Sequence, residues 1–219
     1  MARRRRNLKV VRWIAGTSAE IARETARPAL LAIPSAVCAR LGGISVELKG
    51  ALEVPDASSR WRLSGTGVHI EVATDASSPH DVAIEALLCA GQALWERITD
   101  RELGAWLATL SGEISAAVPG EIDEAPHGLK KALLATAGQP SQRRMLEYAR
   151  ASFAATFAEY VHCLWHDVTV RSGPEHLPAR FLRKRLELLA RWFPPDPGYH
   201  LFPRCPVRRR SARGTLESK

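Results

Sequence analysis

Residues 78–98, SPHDVAIEALLCAGQALWERI, carry the strongest helical signal in the chain. Ser78 suits an N-cap, Pro79 suits the first helical position, and Asp81 suits the positive end of the helix. Apolar residues then recur on one face at a spacing of three and four: Ile84, Leu87, Leu88, Gly91, Leu94, Trp95 and Ile98. This spacing predicts a helix with a continuous buried stripe, and its small residues favour close contact with another helix.

Strand signals precede this helix. Residues 44–54, ISVELKGALEV, alternate apolar and polar positions, which predicts a half-buried strand. Residues 60–74, RWRLSGTGVHIEVAT, alternate on both sides of SGTG and predict a β-hairpin. Val68, Ile70 and Val72 then share one face of the sheet, so His69 faces away from them.

Helical spacing dominates the rest of the chain. Residues 19–41 have it, and we expect Pro28 and Pro34 to interrupt the helix there. Downstream, helices are predicted at 100–118, 128–138, 139–171 (beginning near Ser141) and 177–193. Because the strands come before most of the helices, the sequence predicts an α+β fold. We expect a three-stranded antiparallel or mixed sheet with about five to six helices.

The charge of the chain is concentrated at its ends. Of the formal net charge of +8, the first twelve residues carry +6 and the residues after position 203 carry +5, so 13–203 carry −3. We therefore expect three segments: a basic flexible N-terminus at 1–17, one domain at 18–193, and a Pro/Arg-rich disordered tail at 194–219. Any attraction to nucleic acid would come from these ends and would be weak and non-specific.

The sequence also limits the cellular setting. No apolar run reaches the roughly 18–20 residues that span a bilayer, and the short apolar segment after the N-terminal arginines is broken by Arg12. The four cysteines are widely spaced, which argues against a disulfide framework or a CxxC zinc knuckle. We expect a cytoplasmic protein with reduced thiols and no membrane span.

Two motifs resemble a known family. Residues 85–98, EALLCAGQALWERI, resemble the zinc helix LLHExxHALWE of metallopeptidases, with every metal-binding letter changed. Residues 148–162, YARASFAATFAEYVH, resemble the segment YGRxxExEFFAEAFRLMH of the anthrax lethal-factor-like peptidases. Tyr148, Arg150 and the Phe-Ala-Glu at 157–159 match it. The resemblance extends over residues 60–193 and implies a zincin-like fold.

The resemblance also implies a peptidase cleft without its chemistry. Leu88 and Gln92 stand at the two histidine positions of HExxH, Cys89 stands at the glutamate position, and Ala155 stands at the third ligand. An aliphatic side chain, an amide and a methyl group cannot replace these ligands. Of the polar residues that line the cleft in the family, only Tyr148 and Glu159 are present here. We expect a catalytically inactive pseudo-metallopeptidase without a cofactor, which binds a protein or peptide or is purely structural.

Three alternatives stay open. The segment at 85–98 is also what an ordinary buried helix with small residues looks like. Glu159, His162 and His166 follow the helical spacing ExxHxxxH and form a candidate metal set. The basic termini are a candidate attachment to nucleic acid, which would make the chain an accessory protein. The sequence gives neither a partner nor an oligomeric state.

Overall fold

The computed structural model describes residues 11–14, 20–54, 57–65, 67–75, 78–135, 141–166 and 175–202. Four strands lie in these residues: β1 (Val11–Ile14), β2 (Ile44–Lys49), β3 (Ser59–Ser64) and β4 (Gly67–Ala73). The described residues also form seven helices: α1 (Glu20–Ala32), α2 (Ser35–Leu41), α3 (Pro79–Trp95), α4 (Asp100–Ser115), α5 (Glu124–Leu134), α6 (Gln142–Trp165) and α7 (Ala179–Trp192). The predicted α+β class is confirmed.

The strands form one mixed sheet in the order β1-β2-β4-β3. β1 and β2 are parallel, β2 and β4 are parallel, and β3 pairs with β4 as an antiparallel hairpin. The predicted hairpin and the mixed sheet are therefore confirmed. The prediction of three strands missed β1, which lies inside the segment 1–17 that we expected to be flexible. Four residues containing an arginine give too little pattern, and β1 forms by pairing with β2.

The two faces of the sheet differ sharply. One face is apolar and buried, and it consists of Ile44, Val46, Leu48, Val68, Ile70 and Val72. The other face carries alternating polar residues of the same strands: Ser45, Glu47, Lys49, His69 and Glu71. This is the alternation expected of strands that cover a core on one side only.

α3 is the centre of the core. It packs against β3 and β4 on one side and against α1, α2 and α6 on others, so most of its residues are buried. Its start follows the prediction, because the Ser78 hydroxyl accepts a hydrogen bond from the Asp81 amide and Pro79 occupies the first turn. The Asp81 carboxylate accepts from the Ser78 amide in return.

Pro28 does not break the first helix. It lies inside α1, on the exposed side, while Ala26, Ala29 and Leu30 are fully buried. A proline in a helix removes one backbone hydrogen bond. Here the burial of the opposite apolar face outweighs that loss. The chain restarts only at Pro34, which precedes α2.

α6, α7 and the segment after α7 form the C-terminal part of the described structure. α6 begins after the predicted cap Ser141, whose hydroxyl accepts from the Arg144 amide, and it ends at Trp165 instead of 171. Beyond α7, the described residues continue from 194 to 202, within the segment expected as a tail. The Asp196 carboxylate accepts hydrogen bonds from the amide and hydroxyl of Ser35, at 3.0 and 2.8 Å. The rest of that tail lies outside the described residues.

Candidate functional site

A cavity of about 350 Å³ lies where α3 and α6 diverge. The loop around 121–123 and the residues leading into α7 close its other sides. A short parallel bridge between Glu121 and His176 joins these two segments. The lining residues are His80, Asp81, Ile84, Glu85, Leu88, Glu121, Ile122, Asp123, Ala155, Glu159, His162, His176, Leu177 and Leu182.

Three of the six predicted cleft residues line this cavity. Leu88 comes from α3, and Ala155 and Glu159 come from α6. The first and third ligand positions implied by the resemblance thus lie at one cavity, and they present an aliphatic and a methyl side chain. Neither can bind a cation.

The other two predicted residues of α3 lie elsewhere. Cys89 is buried, and burial raises the pKa of its thiol to about 11, so the thiol stays protonated at neutral pH. The Gln92 carbonyl oxygen accepts a hydrogen bond from the Trp61 indole N–H of β3 at 2.7 Å. Neither Cys89 nor Gln92 lines this cavity, because both are used in packing α3 against its neighbours.

Close contact between α3 and α6 explains why position 91 is glycine. A Cβ atom added there would lie 2.9 Å from Cα of Ala154 and 3.0 Å from its carbonyl oxygen. The two helices therefore pack backbone against backbone at this point. Leu88 and Ala155, which line the cavity, are close in sequence to this contact.

Tyr148, which was also predicted in the cleft lining, is not among the residues that line this cavity. The side chain is fully buried, and its hydroxyl donates a hydrogen bond to the Glu121 carboxylate. Burial, reinforced by the Glu121 charge, raises the pKa of this phenol far above its ordinary value. The Tyr148 hydroxyl is therefore a neutral donor that is already bonded to a carboxylate.

A buried ionic cluster surrounds that hydroxyl. The Arg185 guanidinium is fully buried and donates hydrogen bonds to two carboxylates. Its Nε donates to Glu113 at 3.0 Å, and its Nη1 donates to Glu121 at 2.8 Å. Nη1 also donates to the Ser152 hydroxyl at 2.8 Å. Burial alone would raise the pKa of Glu121, but the hydrogen bonds and charge of Arg185 outweigh burial and lower it.

Sequence reasoning missed this cluster. Arg185 belongs to the basic run RFLRKR, where it looks like one more exposed cation, and Glu121 lies in a loop without periodicity. One signal was available, because Arg185 shares a helical face with Leu182, Leu186 and Leu189. A cation inside an apolar stripe requires a buried partner.

The rim of the cavity carries two close histidines. Nε2 of His80 lies 3.3 Å from Nε2 of His162, and Nδ1 of His162 lies 3.4 Å from a Glu159 oxygen. His166 ends α6 as an exposed cap residue and does not line the cavity.

The predicted metal set is not assembled. In the part of the chain that the structure describes, only Glu47, His69 and Glu71 bring three ligand atoms within 4.8 Å of one another. Glu159, His162 and His166 do not meet this criterion as a set, although His162 lies 3.4 Å from Glu159.

The cavity is electronegative. Its described lining contains five carboxylates, from Asp81, Glu85, Glu121, Asp123 and Glu159, and no lysine or arginine. Glu121 is already neutralised by Arg185, whereas Glu85 only accepts a hydrogen bond from the Ser59 hydroxyl, at 2.7 Å. Such a lining favours a cationic group over a neutral or anionic one.

Comparisons with known proteins add no assignment. No family model, no curated protein and no solved structure matches this chain. None of the described helices combines the length and the apolar character needed to cross a bilayer.

Proposed function

We propose that this chain is a zincin-like, non-hydrolytic binding domain that takes a cationic side chain of a protein or peptide into the cavity between α3 and α6. The observation that carries the proposal is the pairing of Leu88 and Ala155 at the cavity, surrounded by five carboxylates. The apolar pair supplies contact area for an aliphatic stem. The carboxylates supply the counter-charge for an ammonium or guanidinium group.

The element order supports the zincin-like part of the proposal. The sheet has an antiparallel edge strand, β3, and α3 follows β4 directly and packs against both strands. α6 then crosses α3 and brings position 155 to the same cavity as position 88. This arrangement is what the sequence resemblance implies for a peptidase cleft whose ligands have been replaced.

A binding assay tests the cationic ligand. The probe is a fluorescent alanine–glycine peptide with a central arginine, compared with the same peptide carrying neutral, isosteric citrulline. We expect the full chain to prefer the arginine peptide. The double variant Glu85→Gln/Glu159→Gln should weaken that binding about tenfold. The double variant Glu147→Gln/Glu187→Gln removes the same charge from exposed sites outside the lining, and it should bind like the wild type.

Two results would contradict the proposal. Equal affinity for the arginine and citrulline peptides would show that the carboxylates do not select the ligand. Peptide hydrolysis by the purified chain that a chelator abolishes would show that the domain is a working metallopeptidase.

A second candidate function rests on the charge of the termini. The ends carry +11 against −3 for residues 13–203, so nucleic acid would be bound through them in a salt-dependent way. DNA binding that disappears when residues 1–10 and 204–219 are deleted, which leaves β1 intact, and that is unchanged by Glu85→Gln/Glu159→Gln would favour this candidate. DNA binding that survives the deletion would exclude it.

A further inference from the structure

The polar face of the sheet holds a group of side chains that the proposed binding cavity does not use. β2 and β4 are parallel neighbours, and their register sets Ser45 beside His69 and Glu47 beside Glu71. These side chains lie on the face opposite the apolar core and are held by two central strands of the sheet. Two carboxylates directly opposite each other repel unless a positive charge lies near both.

We propose that Glu47, His69 and Glu71 form a binding site for a divalent transition-metal ion, with zinc as the reference ion. Nε2 of His69 lies 3.3 Å from a Glu47 oxygen and 3.4 Å from a Glu71 oxygen. Zinc bonds to nitrogen and oxygen at about 2.0–2.1 Å, and two ligand atoms of a tetrahedral site are therefore about 3.3–3.4 Å apart. The two distances match this separation before any side chain moves.

The state of Nε2 supports the site independently. This atom is buried and accepts or donates no hydrogen bond among the described residues, although two carboxylate oxygens lie within 3.4 Å of it. In the tautomer with the proton on Nδ1, the lone pair of Nε2 faces two carboxylates and is repelled by both. A cation placed among the three atoms removes that repulsion and gives the buried nitrogen a bond.

Ser45 orients the imidazole for this role. Its hydroxyl lies 2.9 Å from Nδ1 of His69. With the proton on Nδ1 donated to that hydroxyl, Nε2 presents its lone pair to Glu47 and Glu71. Metal-binding histidines are commonly fixed in this way by a partner on the other ring nitrogen.

The neighbouring cations set the strength of the site. Lys49 donates to a Glu71 oxygen at 3.1 Å and approaches Glu47 at 3.8 Å, while Arg60 pairs with the other Glu71 oxygen. Both cations therefore compensate part of the negative charge of Glu71. Lys49 and the metal share one carboxylate oxygen, and the ammonium group opposes metal binding.

Equilibrium dialysis of the untagged full chain against zinc, with metal analysis, tests the site. We expect one equivalent of zinc to bind. His69→Gln and Glu47→Gln should each weaken binding by at least about tenfold, and Ser45→Ala by about tenfold. Glu47 is partly exposed, so its variant tests the site even if His69→Gln fails to fold. Lys49→Met should bind zinc more tightly than the wild type.

Matched controls separate this site from other ligands. Glu53→Gln removes an exposed carboxylate that also contacts Arg60, and His162→Gln removes the histidine at the cavity rim. Both should bind zinc like the wild type. The proposal is overturned by absence of saturable zinc binding, by zinc retained in both His69→Gln and Glu47→Gln, or by zinc lost in His162→Gln.

Discussion

The two contact surfaces of α6 are buried by different interactions, one apolar and one ionic. Towards α3, the contact is apolar and so tight that Gly91 meets the backbone of Ala154. Towards α7, the same helix presents Tyr148 and Ser152 to the fully buried Arg185, with Glu113 and Glu121 closing the cluster. The first surface depends on shape, whereas the second depends on every charge having its partner.

This difference shows what each surface tolerates. An apolar contact loses stability gradually as atoms are added or removed, because neighbours relax in part. A buried ionic cluster loses much when one partner is removed, because the remaining charges stay buried. The cavity is lined by Ala155, next to the first surface, and by Glu121, which belongs to the second.

The largest effect is expected at Arg185. Arg185→Met keeps the aliphatic stem but leaves Glu113 and Glu121 buried. Among the described cations, Lys130 then remains near Glu121, at 3.6 Å. We expect the free energy of unfolding to fall by about 3–5 kcal/mol in urea denaturation. Adding Glu113→Gln and Glu121→Gln should recover part of the loss. A fall in unfolding free energy below about 1 kcal/mol would show that water reaches Glu113 and Glu121 once Arg185 is replaced.

Gly91→Ala tests the tight surface. Alanine favours a helix over glycine by about 0.5–1 kcal/mol, but the new methyl group would overlap the Ala154 backbone. We expect a net loss of about 1–2 kcal/mol. Gly104→Ala in α4 has no atom within 4 Å of the added methyl group and should stabilise the domain instead. Stabilisation by both substitutions would contradict the close helix contact.

Acid should weaken the ionic contact of α6 with α7 and leave its apolar contact with α3 unchanged. The pKa of Glu121 is lowered in the folded state, so its stabilising contribution is present above the ordinary carboxyl pKa of 4.5 and is lost as pH falls below it. Glu121→Gln should therefore flatten the fall of unfolding free energy below pH 4.5. Gly91→Ala should lower stability by a similar amount at every pH. Equal acid slopes in Glu121→Gln and the wild type would refute this assignment.

The smallest effect is expected at the exposed pair of Arg183 and Glu187, two residues from Arg185 in the chain. Their side chains meet at 2.9 Å but are about half exposed or more. Water and salt screen such pairs, so Arg183→Met should change the unfolding free energy by less than about 1 kcal/mol. A loss as large as that of Arg185→Met would mean that burial is not what separates the two arginines.

The elements of the fold could be predicted where the pattern is local. The cap at Ser78, the hairpin with Val68 and Ile70 on one face, and the start of α6 after Ser141 all follow from neighbouring residues. β1 and the passage of α1 through Pro28 could not be predicted in this way. Both depend on a partner distant in sequence, namely β2 for the strand and the core for the helix.

The candidate site was predictable only in part for the same reason. The resemblance brought positions 88, 155 and 159 together, and all three line the cavity. It also suggested Cys89, Gln92 and Tyr148, each of which is buried or bonded elsewhere. A motif gives the helix and the turn on which a residue lies, but neighbouring elements decide which side chains reach the cavity.

The sequence by itself determined the α+β class, the polarity of the two sheet faces and the absence of ligand side chains at positions 88 and 155, because these follow from residue type and periodicity. Only the tertiary structure decided that Arg185 is a core residue, that Glu121 closes both the ionic cluster and the cavity, and that Glu47, His69 and Glu71 meet across two strands. The physical reason is distance along the chain. Charge pairing and ligand geometry are set by atoms that meet only after folding, and no local pattern encodes them.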